Sequence, residues 1–197
     1  GVYKGKWYWE VKLLTLDEYA LIGITADASP MNTTASDWIM GSGTYDYAVY
    51  SGDGSTGGGN GHMYNNAGAA PGNAPGQFMG TFSAGDIITL ALDCDNNTLK
   101  VGANGQWANG SNATNQTFAN TTAKAITAVG STNTRFYHPA GGDYGGTNVY
   151  QFNFGDGYFG TTAVSTAQAD DGALGVFEYD VPAGYRAICT KNLNTYG

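Results

Sequence analysis

The chain has 197 residues, a formal net charge of −8 at neutral pH, 42% hydrophobic residues and only 12% charged ones. That length fits one domain able to bury its own core, and the acidity excludes the counterion release that drives binding to nucleic acid and disfavours docking on anionic lipid. With 31 Gly, 14 Tyr and 4 Trp, the composition favours turns and strands over helices and is too rich in apolar and aromatic residues for disorder. No apolar run approaches the about 20 residues needed to span a bilayer. The first residues, Gly1-Val2-Tyr3-Lys4-Gly5-Lys6-Trp7, lack a Met and already read as strand-like, so we expect a longer native chain.

The first strand is predicted over Lys6 to Leu13. Trp7, Trp9, Val11 and Leu13 share one face, and Lys6, Tyr8, Glu10 and Lys12 the other, the period of a half-buried antiparallel strand. A second strand, Tyr19 to Ile24, follows the Asp17-Glu18 turn, and the two are expected to be neighbours. Residues 27 to 81 read as an excursion, with short strands at Trp38-Ile39, Asp46 to Tyr50 and His62 to Asn65 between Gly- and Asn-rich loops. Ile87 to Leu92 alternates as a strand, Asp95-Asn96-Asn97 turns it, and Thr98 to Val101 returns. Asn104-Gly105 is a type I′ hairpin signal, with Trp107 opening the next leg. Residues 108 to 122 read as loop, Ala125 to Gly130 as strand and Thr132 to Thr147 as a second long loop. Val149 to Gly155 is a strand with Tyr150, Phe152 and Phe154 on one side. Thr161 to Gly175 could hold a short helix around Ala167, and Val181 to Cys189 a turn and a last short element. Many short strands with turn-rich connections mean an all-β sandwich or barrel.

The motifs that could carry chemistry read better as structure. Asp93, Asp95 and Asn97 match the first oxygen positions of a calcium loop, but Thr98 and Asn104 stand where Gly and Glu are required. Asp and Asn favour such bends through local capping. Thr56 to His62 lacks the Gly-Lys-Ser/Thr of a phosphate loop. His62 and His138 fall in separate loops with no nucleophile elbow. Glu178-Tyr179-Asp180 and Asp170-Asp171 are the nearest approach to a glycosidase acid pair. Cys94 and Cys189 read as small hydrophobes, with a disulfide as the alternative. We expect no catalytic residue, metal or cofactor. The candidate binding residues are the aromatics and the histidine in or beside long loops: Tyr45, Tyr47, Tyr50, His62, Tyr64, Trp107, Phe136, Tyr137 and Tyr144. Tyr and Trp give rigid, amphipathic contact area suited to protein or sugar recognition, though some could instead cover the ends of the core.

Taken in order, Gly5 to Val11, Ile22-Gly23-Ile24, Gly85 to Asp93 with Asn97 to Val101 and Asn104-Gly105, and Phe152-Asn153-Phe154-Gly155 resemble the SPRY domain over residues 5 to 155. The resemblance implies a concanavalin-like jelly roll of two curved antiparallel sheets, which binds proteins or peptides through loops at one end. Phe177-Glu178-Tyr179 and Pro182 to Leu193 resemble the ending that follows such domains in bacteriophage and environmental viral proteins. This implies a non-catalytic virion surface protein, a fibre or capsid-decorating component, that binds a host receptor (protein or glycan) or other virion proteins as part of a homo-oligomer or larger assembly. A carbohydrate-binding module and, further off, a glycoside hydrolase or lyase are the alternatives. Residues 1–160 are expected to form the sandwich and 161–197 an extension packed on it or on a neighbouring subunit. The Ser51 to Gly80 insert exceeds a compact SPRY loop, and the strand that precedes Gly-Lys-Trp in the family is absent. The edge near Trp7 therefore needs a partner strand.

Overall fold

Strand β1, Lys6–Thr15, is the longest element, and the architecture is arranged around it. The computed structural model describes residues 1–17, 19–26, 40–41, 43–51, 61–65, 77–130, 133–143 and 147–197. The strands that follow are β2 Leu21–Thr25, β3 Asp46–Tyr50, β4 His62–Tyr64, β5 Ile87–Asp93, β6 Thr98–Ala103, β7 Gln106–Ala108, β8 Thr114–Gln116, β9 Lys124–Ala125, β10 His138–Gly142 and β11 Val149–Asn153. Short pairs β12 Tyr158–Phe159 and β13 Thr162–Ala163, then β14 Gln168–Ala169 and β15 Val176–Phe177, precede β16 Arg186–Ala187 and the helix α1 Thr190–Tyr196. The larger sheet runs β11-β1-β5-β6-β7-β8, with β16 added to β1 and β9 to β6; the smaller runs β10-β2-β3-β4. The fold is an all-β, two-sheet antiparallel sandwich. No helix among the described residues is long and apolar enough to cross a membrane.

The inner faces meet as the alternation predicts. Trp7, Trp9, Val11 and Leu13 from β1 and Ile88, Leu90 and Leu92 from β5 pack against Ile22, Ile24 and Val49 of the smaller sheet, all with no measurable exposure. Each such aliphatic side chain stabilises by about 1.5–3 kcal/mol. Cys94 joins this core as a free thiol that burial, with the Asp95 and Asp93 charges, pushes up to about 12; Cys189 is also a free thiol. The turn before β6 is held by Asp93, whose two oxygens accept the Asn96 backbone N–H at 2.9 Å and its side-chain amide at 2.8 Å, with Lys6 at 3.1 Å. Asn104 and Gly105 have φ of +52° and +78°, and a side chain on Gly105 would meet the Tyr179 ring at 2.8 Å.

The outer face of the larger sheet is not solvated, which departs from the half-buried reading of β1. Tyr8 and Glu10 are fully buried there, under Phe118 from the loop after β8 and the segment from Phe177 to Ala187. Phe177 meets Tyr8 edge-on at 4.9 Å, and Phe118 bridges Trp107 at 4.9 Å and Tyr185 at 5.3 Å. Glu10 accepts four hydrogen bonds: from the Tyr8 hydroxyl at 3.0 Å, the Asn153 amide at 3.2 Å and the backbone N–H groups of Glu178 and Tyr179, both at 2.9 Å. Burial pushes its carboxyl above the usual range while those four bonds pull it down. β16 then pairs parallel with β1, Trp7 opposite Arg186 and Tyr8 opposite Ala187, on the part of that edge that β11 does not reach. The edge near Trp7 is thus covered from within the chain.

Five readings are corrected, the first being residues 108–122, expected to be loop, which hold the short strand β8 paired with β7. β1 and β2 are not neighbours but lie in opposite sheets; after β1, Asp17 is pinned to residues 147 and 148, where its N–H donates to Asn148 at 2.9 Å and its carboxylate accepts the Thr147 N–H at 3.2 Å. β10, His-Pro-Ala-Gly-Gly, lies inside a stretch expected to be loop; it is an edge strand, where Pro is tolerated. The stretch around Ala167 is two short strands rather than helix, and the helix is α1 instead. The strand expected over Ala125 to Gly130 shrinks to β9. Trp38-Ile39 lies outside the described residues.

Asp170 gives the outer layer an acid-sensitive anchor. It accepts the N–H groups of Leu174 at 2.8 Å, Gly175 at 3.0 Å and Ala187 at 2.9 Å and the Asn192 amide at 3.0 Å. Burial alone would raise its carboxyl, but these bonds outweigh burial and hold it below the usual range. Its contribution is therefore present above the unfolded value of about 4 and is lost as pH falls through the lower folded value. Asp170→Asn should cost about 1–3 kcal/mol at neutral pH, with the gap to wild type closing below about pH 4, as read from urea unfolding across a pH series. Glu10→Ala, which strands four donors, should cost about 3 kcal/mol or more in the same assay, and because the Glu10 carboxyl sits above its usual range the gap to wild type should widen as pH falls.

Candidate binding surface at one end of the sandwich

Strand β2 ends, and β3 and β10 begin, at one end of the smaller sheet. Thr25 stands opposite both Asp46 and His138 there. The buried Asp46 carboxylate accepts the Thr25 hydroxyl at 2.5 Å, and the Asn65 amide donates to the Asp46 carbonyl at 3.1 Å. β10 is the last strand of the smaller sheet and β11 the last of the larger, so the two edges face one another across the open side of the sandwich. Gly141 lets them approach: a Cβ there would sit 3.2 Å from the Tyr150 ring and 3.5 Å from that of Phe152. Between them opens a cleft of about 560 Å³ lined by Thr25, His138, Pro139, Ala140, Gly141, Phe152 and Phe154. Phe152 and Phe154 stack at 5.5 Å with rings 19° apart. Burial holds the His138 imidazole below its usual range, so it is mainly neutral at pH 7. Among the described residues no carboxylate lines the cleft.

The loop leading into β10 adds aromatic surface beside this cleft. Phe136 is 43% exposed and Tyr3 38%, packed edge to face at 5.6 Å. The Arg135 guanidinium lies 4.5 Å from the Tyr45 ring and donates to the Ala26 carbonyl at 2.9 Å. The Asn133 side chain accepts the N–H groups of Gly130 and Arg135. From beneath, the Tyr137 hydroxyl donates to the Thr127 carbonyl at 2.8 Å, and the Tyr47 hydroxyl accepts the Thr127 N–H at 2.9 Å. Residues 133–137 are therefore braced by buried tyrosines as a preorganised platform.

The sequence-predicted residues divide accordingly. Phe136 and the half-buried Tyr45 belong to this surface. Tyr47 and Tyr137 are buried supports beneath it, a correction to reading them as contact residues. Tyr50 and Tyr64 are buried too, on the outer face of the smaller sheet, ring to ring at 4.9 Å. Trp107 is buried under Phe118 in the outer layer. These five lie on or beside strands whose both faces are covered, which the local pattern does not reveal. His62 is half-buried at the far end of β3's partner strand, opposite Tyr50, so the two histidines do not meet. Tyr144 lies outside the described residues. Arg135, Tyr3, Phe152 and Phe154 were not among the candidates; the one available signal was the aromatic alternation continuing past the end of β11 into Gly155.

One acid of each pair considered from the sequence is engaged in structure. Glu178 accepts both the N–H, at 2.6 Å, and the hydroxyl of Ser165, and Asp170 anchors the outer layer. Among the described residues no group of three or more His, Cys, Asp or Glu side chains is placed to hold a metal ion.

Comparison with known proteins finds no matching family model and no matching curated protein. Among solved structures, the crystal structure of the SPRY domain of human HERC1 is similar over 77% of this chain and 76% of that one, with 15% sequence identity and a TM-score of 0.49.

Burial separates surface from support experimentally. Trp107→Ala and Tyr47→Ala should each cost about 3–5 kcal/mol in chemical denaturation, as large-to-small changes in a packed interior. Phe136→Ala, at an exposed position outside the core, should change stability by less than about 0.5 kcal/mol.

Proposed function

We propose that the chain is a non-catalytic, SPRY-like recognition module that binds a protein partner through the cleft between β10 and β11. The observation that carries this reading is the stacked Phe152–Phe154 pair facing a neutral, polar-poor cleft of about 560 Å³, with Phe136 and Tyr3 exposed alongside. Such a lining favours an apolar or aromatic side chain of a protein over a sugar, which needs more hydrogen-bonding groups than Thr25 and His138 supply. Both walls are sheet edges, so an incoming segment also meets backbone groups. The SPRY assignment is supported by the order of the family-like motifs, which fall on β1, β2, β5, β6, the β6–β7 turn and the end of β11. A place on a phage particle, as fibre or decorating component, is supported by the resemblance of residues 177–193 to viral endings.

Binding to solubilised virion proteins and to host envelope preparations, measured by biolayer interferometry, tests the reading. Wild type should bind a protein component, and Phe154→Ala and Phe136→Ala should each weaken binding about tenfold or more while leaving the unfolding midpoint unchanged. Binding indifferent to both substitutions would overturn the site. Absence of antibody labelling on intact particles would overturn the virion placement.

A further inference from the structure

A second open cavity, of about 400 Å³, lies where β1 begins and α1 ends, on the outer-layer side of the same end of the sandwich. Its walls are Lys4, Lys6, Asp95, Asp171, Arg186 and Tyr196. Its floor is backbone at Gly5 and Gly184, with φ of +81° and +84°. Gly5 has no room for a side chain, because a Cβ would meet the Tyr196 carbonyl at 2.9 Å and the Trp7 ring at 3.3 Å. The Gly5 N–H donates to Asp95 at 2.8 Å, Arg186 pairs with Asp171 at 3.0 Å, and Lys6 pairs with Asp93 at 3.1 Å. The Arg186 guanidinium also lies 4.0 Å from the Tyr196 ring, which remains 42% exposed.

Charge decides the ligand class. The lining holds three cations, Lys4, Lys6 and Arg186, and two carboxylates, Asp95 and Asp171; Asp93, buried behind the lining, pairs with Lys6 and completes the balance, so neither an anion nor a metal ion gains a net field. What remains is hydrogen-bonding capacity of both kinds beside an aromatic ring. Asp95 and Asp171 each keep one carboxylate oxygen without a partner among the described residues, and the Lys4 ammonium makes no hydrogen bond or ion pair among them. We propose that this cavity binds a neutral saccharide residue. Its vicinal hydroxyls donate to Asp95 and Asp171 and accept from Lys4, while a C–H face of the ring lies on Tyr196. The β1–β16 pairing and the Arg186–Asp171 pair hold these groups in place before the sugar arrives.

The full chain should be probed on an array of neutral mono- and oligosaccharides of glucose, galactose, mannose and N-acetylglucosamine, with sialylated and phosphorylated glycans as comparators, and hits measured by calorimetry. A neutral saccharide should bind, with Kd raised at least tenfold by Tyr196→Ala and by Asp95→Asn, which preserves the acceptor for Gly5. Phe154→Ala should leave that affinity unchanged, separating this site from the protein-binding cleft. No binding to any neutral glycan, a preference for the charged comparators, or Tyr196→Ala and Asp95→Asn variants that fold and bind like wild type would each overturn the proposal.

Discussion

A carboxylate buried on the wrong side of a strand organises this molecule. Glu10 faces away from the sandwich core, on a surface that an antiparallel sheet of this kind normally leaves to water. Here it has no exposure, and a buried ionised group persists only where donors replace its hydration. Two of its four donors are backbone N–H groups of residues 178 and 179. The strand can therefore be buried on both faces only when the C-terminal segment lies over it. The aromatic packing of Phe177 and Tyr185, the pairing of β16 with the edge of β1, and the Asp170 anchor all follow from that placement.

This third layer also decides which surfaces stay open. It removes the outer face of the larger sheet from solvent and takes Trp107 with it. The β10–β11 side remains open because each strand is the last in its sheet, and the aromatic platform beside it is stiffened from below by Tyr47 and Tyr137. At the seam between the outer layer and the start of β1, paired charges and an exposed tyrosine ring create a surface of different chemistry. The two surfaces differ in the way expected of a side-chain receptor and a polyol receptor. One is apolar with little hydrogen bonding, and the other is neutral overall yet dense in donors and acceptors.

Legibility followed the range of the interaction that forms each feature. The β5–β6–β7 run was readable because alternation and the Asn104-Gly105 turn are local, and the structure places positive φ at both turn residues. Asp93 and Asp95 were readable as bend residues for the same reason. β10 was not, since nothing in His-Pro-Ala-Gly-Gly has strand propensity and only pairing with β2 makes it a strand. The placement of β1 and β2 in opposite sheets was hidden too, because Asp17 meets residues 147 and 148 only after folding. Of the described candidate contact residues, Phe136 and Tyr45 reach the surface beside the cleft, and His62 reaches it elsewhere. The tyrosines that do not reach it look identical in sequence.

By itself the sequence determined the all-β class, the inward face of the main strands and the tight turns. These rest on period, turn chemistry and composition, which act over a few residues or over the whole chain. Tertiary structure alone decided which aromatics are core, which strand edges stay open and which carboxylates are engaged. Those outcomes depend on contacts between residues as far apart as Glu10 and Tyr179, whose free energy exists only once the segments are brought together.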